Sequence, residues 1–329
     1  MISLIATVLN EGDNIHHLFD SIERQTRRPD EIVIVDGGSS DDTLAIMQGY
    51  AETLPLRLFI DPGCNISQGR NRAIAEARGD IIAVTDAGLR LSESWLEKIT
   101  TPLLNDPARE VVGGFFQADP QTAFEAALGA TTLPFAREID SATFLPSSRS
   151  IAFRRSAAQE VGGYPEWLDF CEDLVFDLRL RGQGSPFTFA PDALVYFRPR
   201  RSLRQFFRQY YLYARGDGKA NLWLKRHLIR YLTYFALTPG IFVAGALLHP
   251  ALWLLYLLGA AGYLYQPYRR LPTVMRRAPD RSWMVWLYCI VMIPLIGLTG
   301  DVAKMLGYPV GWGWRLTRRP PDWRCLAER

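Results

Sequence analysis

Two long stretches without a single Asp, Glu, Lys or Arg, Tyr231 to Gln266 and Ser282 to Gly300, constrain this chain more than anything else in it. Each is long enough for a bilayer crossing, since a helix needs about 20 mainly apolar residues to span roughly 30 Å of hydrocarbon. The charges are distributed to match. Up to Phe197 the sequence has 16 Lys and Arg against 29 Asp and Glu, and from Arg198 onward it has 21 against 5. A formal net charge of +3 conceals this polarity. Because the basic half is also the apolar half, the expected partner of the positive surface is membrane lipid and not nucleic acid.

As one unbroken helix, Tyr231 to Gln266 would be about 54 Å long, too long for an upright span. His249-Pro250 offers a break near its middle, so two short, tightly connected spans are expected. Ser282 to Gly300 is expected to form a third. The intervening loop, Pro267 to Arg281, carries Arg269, Arg270, Arg276, Arg277 and Arg281. The positive-inside rule places it in the cytoplasm. The tail beyond Gly300 carries Lys304, Arg315, Arg318, Arg319, Arg324 and Arg329. Three full spans would put that tail on the other side against the rule, so one segment is expected to be re-entrant or interfacial. His249 is the only His among these apolar residues, too little for an ion path.

From Arg198 to Arg230 basic residues alternate with Phe206, Phe207, Tyr210, Tyr211, Tyr213 and Trp223, the composition of helices lying at the headgroup level. Three regions result: residues 1–200 as a catalytic domain, 201–230 as basic interface helices and 231–329 as a membrane-associated helical region. The protein is therefore placed at the cell membrane, multi-pass or partly interfacial, with its catalytic domain cytoplasmic.

The first region reads as α/β. Short β-branched runs, Ile2 to Leu9, Glu31 to Asp36, Leu56 to Ile60, Ile81 to Thr85 and Val111 to Phe116, alternate with helical segments such as Asn14 to Gln25 and Ser67 to Ala77. The strands are apolar almost throughout, as in a parallel sheet covered on both faces. Met1 to Leu9 lacks a basic n-region and reads as a first core strand, not a leader. Cys64, Cys171, Cys289 and Cys325 lack metal-ligand spacing and are expected as reduced, unligated thiols.

Each strand ends in polar residues: Asn10-Glu11, Asp36-Gly37-Gly38, and Asp86-Ala87-Gly88. In open α/β sheets the ligand lies beyond the carboxyl ends of the strands, so these clusters point to one crevice. Asp36 can accept hydrogen bonds from a base or ribose, or simply hold a turn. Asp86 is the anchor for a Mg²⁺ or Mn²⁺ that neutralises a diphosphate. Arg70 and Arg72 are placed to clamp phosphate or to decorate a helix. Glu172-Asp173 opens a helix ending at Gly182, where two acids are favoured by the helix dipole. Alternatively, Asp173 is a general base and Glu172 supports the acceptor or its loop.

These pieces occur in a set order: Thr7-Val8-Leu9-Asn10-Glu11, Val35 through Thr43, Gly69-Arg70-Asn71-Arg72-Ala73, Thr85-Asp86-Ala87-Gly88, Ile151 through Arg155 with Val161-Gly162-Gly163-Tyr164, and Glu172-Asp173. In that order, over about Met1 to Phe197, the chain resembles the family 2 glycosyltransferases. The resemblance implies a GT-A fold: a Rossmann-like, nucleotide-sugar-binding α/β domain with a mostly parallel sheet, here followed by a C-terminal helical membrane region. It implies that Thr7, Glu11 and Asp36 hold the nucleoside, that Asp86 sits at the metal and diphosphate, and that Asp173 is the catalytic base. One departure is visible, because Gly88 replaces the second acid of the family's Asp-x-Asp.

The expected activity is inverting transfer of a sugar from a nucleotide-diphosphate sugar to a hydroxyl acceptor on a lipid-linked or cell-envelope glycan. Two alternatives are a polyprenyl-phosphate glycosyltransferase and a noncatalytic sugar-nucleotide-binding membrane protein.

Overall fold

The apolar run at the N-terminus becomes an inner strand of an eight-stranded sheet. The computed structural model describes residues 1–323. The strands are β1 (Ile2–Val8), β2 (Glu31–Asp36), β3 (Leu56–Ile60), β4 (Ile81–Val84), β5 (Arg90–Leu91), β6 (Val111–Ala118), β7 (Ile151–Arg154) and β8 (Phe187–Phe197), ordered β3-β2-β1-β4-β7-β6-β8-β5. The helices α1 (Ile15–Glu23), α2 (Thr43–Tyr50), α3 (Ile66–Glu76), α4 (Trp95–Asn105), α5 (Ala123–Thr132), α6 (Arg155–Glu160) and α7 (Glu172–Gly182) intervene. They are followed by α8 (Leu203–Ala220), α9 (Leu224–Leu232), α10 (Thr238–Leu247), α11 (Leu254–Met275) and α12 (Trp283–Arg318).

Continuous apolarity in the strands has the expected cause. Leu4, Ala6 and Val8 of β1 face α1 and α4, whereas Ile5 faces the α3 side, and Ile32 and Ile34 against Val33 and Val35 divide in the same way on β2. Successive side chains point to opposite faces, and both faces are covered. The strands β3, β2, β1 and β4 are parallel, with Val8 opposite Asp36 and Ile5 opposite Val84, so their carboxyl ends open on one edge.

The parallel part stops at β4. β7 pairs antiparallel with both β4 and β6, and β5 pairs antiparallel with β8. The segment after β6 makes no βαβ crossover, because its helix α5 belongs to a different compact unit, and the chain comes back in the opposite direction.

Two compact units divide the chain, one formed by Met1–Gln117 and Ala136–Phe197, the other by Ala118–Phe135 and Arg198–Pro320. In the second unit Phe124, Ala127 and Leu128 of α5 pack with Leu271 and Val274 of α11 and Ile293 of α12. Gly307 and Gly311 of α12 meet the backbone of α8 so closely that an added Cβ would stand 2.2 Å from the Tyr211 carbonyl oxygen and 1.9 Å from that of Arg215, respectively. Small residues four apart permit this approach.

Among the described residues, two helical stretches are long and apolar enough to cross a membrane, Leu224–Leu247 and Trp283–Arg318. The break at His249-Pro250 is present, between α10 and a short 3-10 turn. The first of these stretches begins at Leu224 and runs on through a π-turn at Thr233–Leu237. Two expectations need correction. Pro267 to Arg281 is not a loop as far as Met275, since α11 continues through Pro267 and Pro272, its last turns held by the buried Leu271, Val274 and Met275. Finally, α12 passes Gly300 and carries Lys304, Arg315 and Arg318 on the same 36-residue helix. Its length, about 54 Å, exceeds the hydrocarbon thickness. Cys64, Cys171 and Cys289 are free thiols, and Arg324, Cys325 and Arg329 lie outside the described residues.

Candidate active site

The ends of β1, β2 and β3 build one side of the site by backbone bonds between neighbouring loops. The Gly37 amide donates to the Val8 carbonyl, the Asp61 amide to that of Asp36 and the Gly63 amide to that of Gly37. Asn10 follows β1 in the left-handed region, at φ 53°, and its side-chain oxygen accepts from the Ser40 amide at 2.8 Å. The first two strand-end loops are thereby tied together.

Helix α3 connects this edge to the rest of the site, and each residue of its Gly69-Arg70-Asn71-Arg72 run has a separate task. A capping box between Asn65 and Gln68 starts the helix. Gly69 lies against Thr7, where a Cβ would come within 2.7 Å of the threonine methyl. That approach turns Arg70 inward, to 2% exposure. Asn71 fastens Tyr164, accepting from its amide at 2.7 Å and donating to its carbonyl at 2.9 Å. Arg72 stays at the surface, paired with Asp61 at 3.2 Å.

Arg70 is the centre of the arrangement. One guanidinium nitrogen donates to Asp86 Oδ1 at 2.7 Å, the other to Glu172 Oε1 at 2.7 Å, and the group lies 5.2 Å from the Tyr164 ring centre. A guanidinium fork suits two carboxylates at once. Burial opposes its charge, but Asp86 and Glu172 outweigh burial and hold Arg70 ionised beyond the ordinary arginine range. Burial and then the neighbouring Asp173 charge push the Glu172 carboxyl up to about 7, with Arg70 pulling the other way. Arg70 therefore links the tip of β4 to the first turn of α7. It is not a surface clamp.

Asp173 follows Glu172 directly, so that first turn also carries the expected base. Its Oδ1 accepts from the Leu174 amide at 2.9 Å, and Ser147 Oγ stands 3.4 Å from its Oδ2. Asp36 is bound differently: its Oδ1 accepts from the Gly38 and Ser39 amides at 2.8 and 2.7 Å, and its Oδ2 from Ser39 Oγ at 2.6 Å. With 2% exposure it holds its own turn. Thr7 is half-buried on β1, whereas the Glu11 amide donates to Thr43 Oγ1 at 3.0 Å and its carboxylate lies beside Gly88. Arg70, Asp86, Glu172 and Asp173 thus converge, and Thr7, Glu11 and Asp36 line the adjoining strand ends.

The profile of Glycosyl transferase family 2 matches residues 3–162, and that of Glycosyl transferase family group 2 matches residues 121–298. The succinoglycan biosynthesis protein ExoA of Rhizobium meliloti is 30% identical over 264 residues, which is 76% of this chain and 79% of that protein. The chain belongs to the family 2 glycosyltransferases. The O-antigen chain rhamnosyltransferase WbaN of Salmonella anatum is 26% identical over 224 residues, 64% of this chain and 70% of that one. The mannosyltransferase PcManGT of Pyrobaculum calidifontis, solved with GDP-Man and Mn²⁺, superimposes with a TM-score of 0.61 at 20% identity, covering 92% of this chain and 86% of its own. That likeness shows a shared GT-A fold.

Two residues of this glycosyltransferase escaped the sequence reading. Arg149 Nε lies 3.7 Å from Asp86 Oδ2, and its guanidinium stands 4.9 Å from the Phe197 ring centre and 5.7 Å from that of Phe116. The only signal was an arginine among serines just before Ile151. Asp177, one turn beyond Asp173, is 1% exposed, and its Oδ2 has no hydrogen-bond partner among the described residues. Burial, and then the Asp173 charge, hold its carboxyl well above the usual range. Nothing in the sequence sets it apart from other acids on helices.

No group of three or more His, Cys, Asp or Glu able to hold a metal occurs among the described residues of the glycosyltransferase. The donor set still fits Mg²⁺ or Mn²⁺ of the kind that takes one or two carboxylates and fills its shell with phosphate oxygens and water. Asp86, with Oδ1 on Arg70 and Oδ2 toward Arg149, is the residue that would hold it.

Proposed function

We propose that this protein is an inverting glycosyltransferase that moves a sugar from a nucleotide-diphosphate sugar to a hydroxyl of a lipid-linked or cell-envelope glycan. Asp173 removes the proton of the acceptor hydroxyl, and its oxygen attacks the anomeric carbon on the face opposite the departing diphosphate. Thr7 and the turn held by Asp36 form the nucleoside side of the cleft. Arg149 faces the diphosphate, while Arg70 keeps Asp86 and the α7 turn in register. A bound Mg²⁺ or Mn²⁺ at Asp86 supplies charge neutralisation for the leaving group. Positioning and electrostatics carry most of the acceleration, because a diphosphate is already a good leaving group.

The observation that supports this reading is the Arg70 fork. It spans Asp86 and Glu172 at 2.7 Å each, which ties the proposed diphosphate anchor to the residue directly before the proposed base. The O-antigen and succinoglycan relatives support an envelope or exported polysaccharide as the product. Leu224–Leu247 and Trp283–Arg318 anchor the protein in the cell membrane, and the arginines between Arg269 and Arg281 favour a cytoplasmic catalytic unit.

Asp173→Asn tests the mechanism. Turnover should fall by about 10²–10⁴, with donor binding kept. Full activity would reject Asp173 as base and favour an acceptor that is already anionic, such as a polyprenyl phosphate.

A further inference from the structure

Helix α12 carries two apolar stripes on opposite faces. Cys289, Ile293, Ile296, Gly300, Ala303 and Gly307 are buried, at intervals of three and four residues. Leu287, Val291, Leu295, Leu298, Val302 and Leu306 repeat that spacing half a turn away and are between 36% and 55% exposed.

The buried stripe is covered along its length by helices that carry charge. Near one end Cys289 Sγ lies 3.4 Å from the Ala123 carbonyl of α5, whose buried Glu125 is paired with Arg198 at 3.0 Å. Tyr268 of α11 donates to the Ile290 carbonyl at 2.9 Å, and Arg269 and Arg270 follow it. Toward the other end α8 runs alongside in the same direction, with Phe206 against Gly300, Tyr211 against Gly307 and Arg215 against Gly311. That helix carries Arg204, Arg208, Arg215, Asp217 and Lys219. An upright α12 would draw these charges into hydrocarbon, where they are costly. Yet its exposed stripe presents apolar side chains over about 29 Å, a surface that calls for an apolar cover. Both conditions hold together when the helix axis lies in the membrane plane, with the charged helices toward water and the stripe at the boundary of headgroups and chains.

The uncharged hairpin formed by α10 and the first half of α11 gives the same answer. Tyr234 and Tyr263 both donate to Asp301 Oδ2, at 3.0 and 2.8 Å, so its two arms leave and return at one level, the middle of α12. From Tyr234 to Leu247 the outgoing arm is about 20 Å long, short of the roughly 30 Å of hydrocarbon. At the tip His249 Nδ1 accepts from the Ala251 amide at 3.1 Å, and Trp253 Nε1 donates to the Phe242 carbonyl at 3.2 Å. Polar groups at the tip are thus bonded within the hairpin, as burial in lipid requires.

We infer that the second unit is a monotopic anchor: α12 lies in the plane of one leaflet, the hairpin re-enters that leaflet, and the chain after α12 emerges on the side from which α8 entered. The partner is an anionic bilayer surface, since from Arg198 onward 21 Lys and Arg stand against 5 Asp and Glu. Lys304, Arg315 and Arg318 then share one side with Arg269 and Arg270, in accord with the positive-inside rule. The inference rests on the reading of this unit as the membrane anchor and is independent of the reaction assigned to Asp173.

Depth measurements test it without reference to activity. The full-length protein is placed in vesicles of phosphatidylethanolamine and phosphatidylglycerol, with dansylalanine introduced singly at Leu287, Leu295, Val302 or Val310. Quenching by lipids brominated at known chain positions gives the depth of each probe. Equal, shallow depths are expected, about 5–10 Å below the headgroups, with a probe at Leu248 deeper than all four. A crossing helix would spread Leu287 and Val310 over about 35 Å, and such a graded series overturns the inference. Green fluorescent protein fused at the C-terminus should fluoresce in bacterial cells, and alkaline phosphatase fused there should stay inactive; an active phosphatase also overturns it. Absence of quenching at all four positions, with cross-links between chains, would make the stripe a contact between two copies and overturn it as well. If the protein does not sediment with vesicles, the membrane anchor fails and the inference with it, while the assignment of Asp173 is untouched.

Discussion

Replacing Arg70 by methionine removes the one cation shared by two acids and keeps a similar length of side chain. In the native protein that guanidinium is 2% exposed and donates to Asp86 and Glu172 at 2.7 Å each, with the Glu172 side chain 9% and that of Asp86 27% exposed. Deleting one member of a buried ion pair and leaving its partner uncompensated costs about 3–5 kcal/mol. Asp86 is partly in water, so the lower part of that range applies to its share. For a domain of this size each 1 kcal/mol moves Tm by roughly 2–4 °C, and Arg70→Met should unfold ~6–20 °C below the parent. Arg70→Lys should lie between the two, because an ammonium is a point charge and does not fork to two carboxylates. The deficit should also depend on pH. Without Arg70 the ionised form of Glu172 loses its counter-charge, and protonation relieves that penalty. The destabilisation should therefore be smaller near about pH 5.5 than near about pH 8. Thermal unfolding followed by intrinsic fluorescence, in detergent at both pH values, measures this. A methionine variant within about 1 kcal/mol of the parent, or one equally weakened at both pH values, would refute the claim that Arg70 holds these acids by charge.

The unaltered protein should show a related slope. Because the folded Glu172 carboxyl is pushed up from 4.5 to about 7, its contribution is fully present below 4.5 and is lost as pH rises through about 7. Asp177 is shifted in the same direction, so both acids should make the stability of the catalytic unit fall as pH rises. Glu172→Gln should flatten the slope in a plot of unfolding midpoint against pH. In the second unit, Gly311→Ala places a methyl 1.9 Å from the Arg215 carbonyl oxygen and should force α8 and α12 apart. A cost of about 1–3 kcal/mol is expected from thermal unfolding. Gly313→Ala, where a Cβ meets nothing within 4 Å, should be nearly silent.

Much of the first unit was legible because its signals are local. Apolar strands ending in Asn10-Glu11, Asp36 and Asp86 announce a parallel sheet and its ligand edge, and the helices α1, α3 and α7 lie close to their predicted ranges. β7 and β8 were missed, since an antiparallel addition depends on which distant strand is available as an edge. Their own residues do not specify it. The long apolar helices of the second unit were legible in composition and misplaced at their ends. Charges mark where a span leaves hydrocarbon, whereas packing decides where a helix stops, as the buried Leu271, Val274 and Met275 do for α11.

The site divides along the same line. Composition and order alone determine the family, the strand-end acids and the absence of an acid at 88, because those are facts about residue types. Only the tertiary structure decides that Arg70 faces inward as a bridge, that Asp36 is consumed by its turn, that Arg149 stands beside Asp86, and that Glu11 fills the space next to Gly88. Each of these depends on residues far apart in the chain or on the direction of a side chain. Such directions are set by close approach, as Gly69 against Thr7 sets that of Arg70, and a linear pattern of residue types contains no distances.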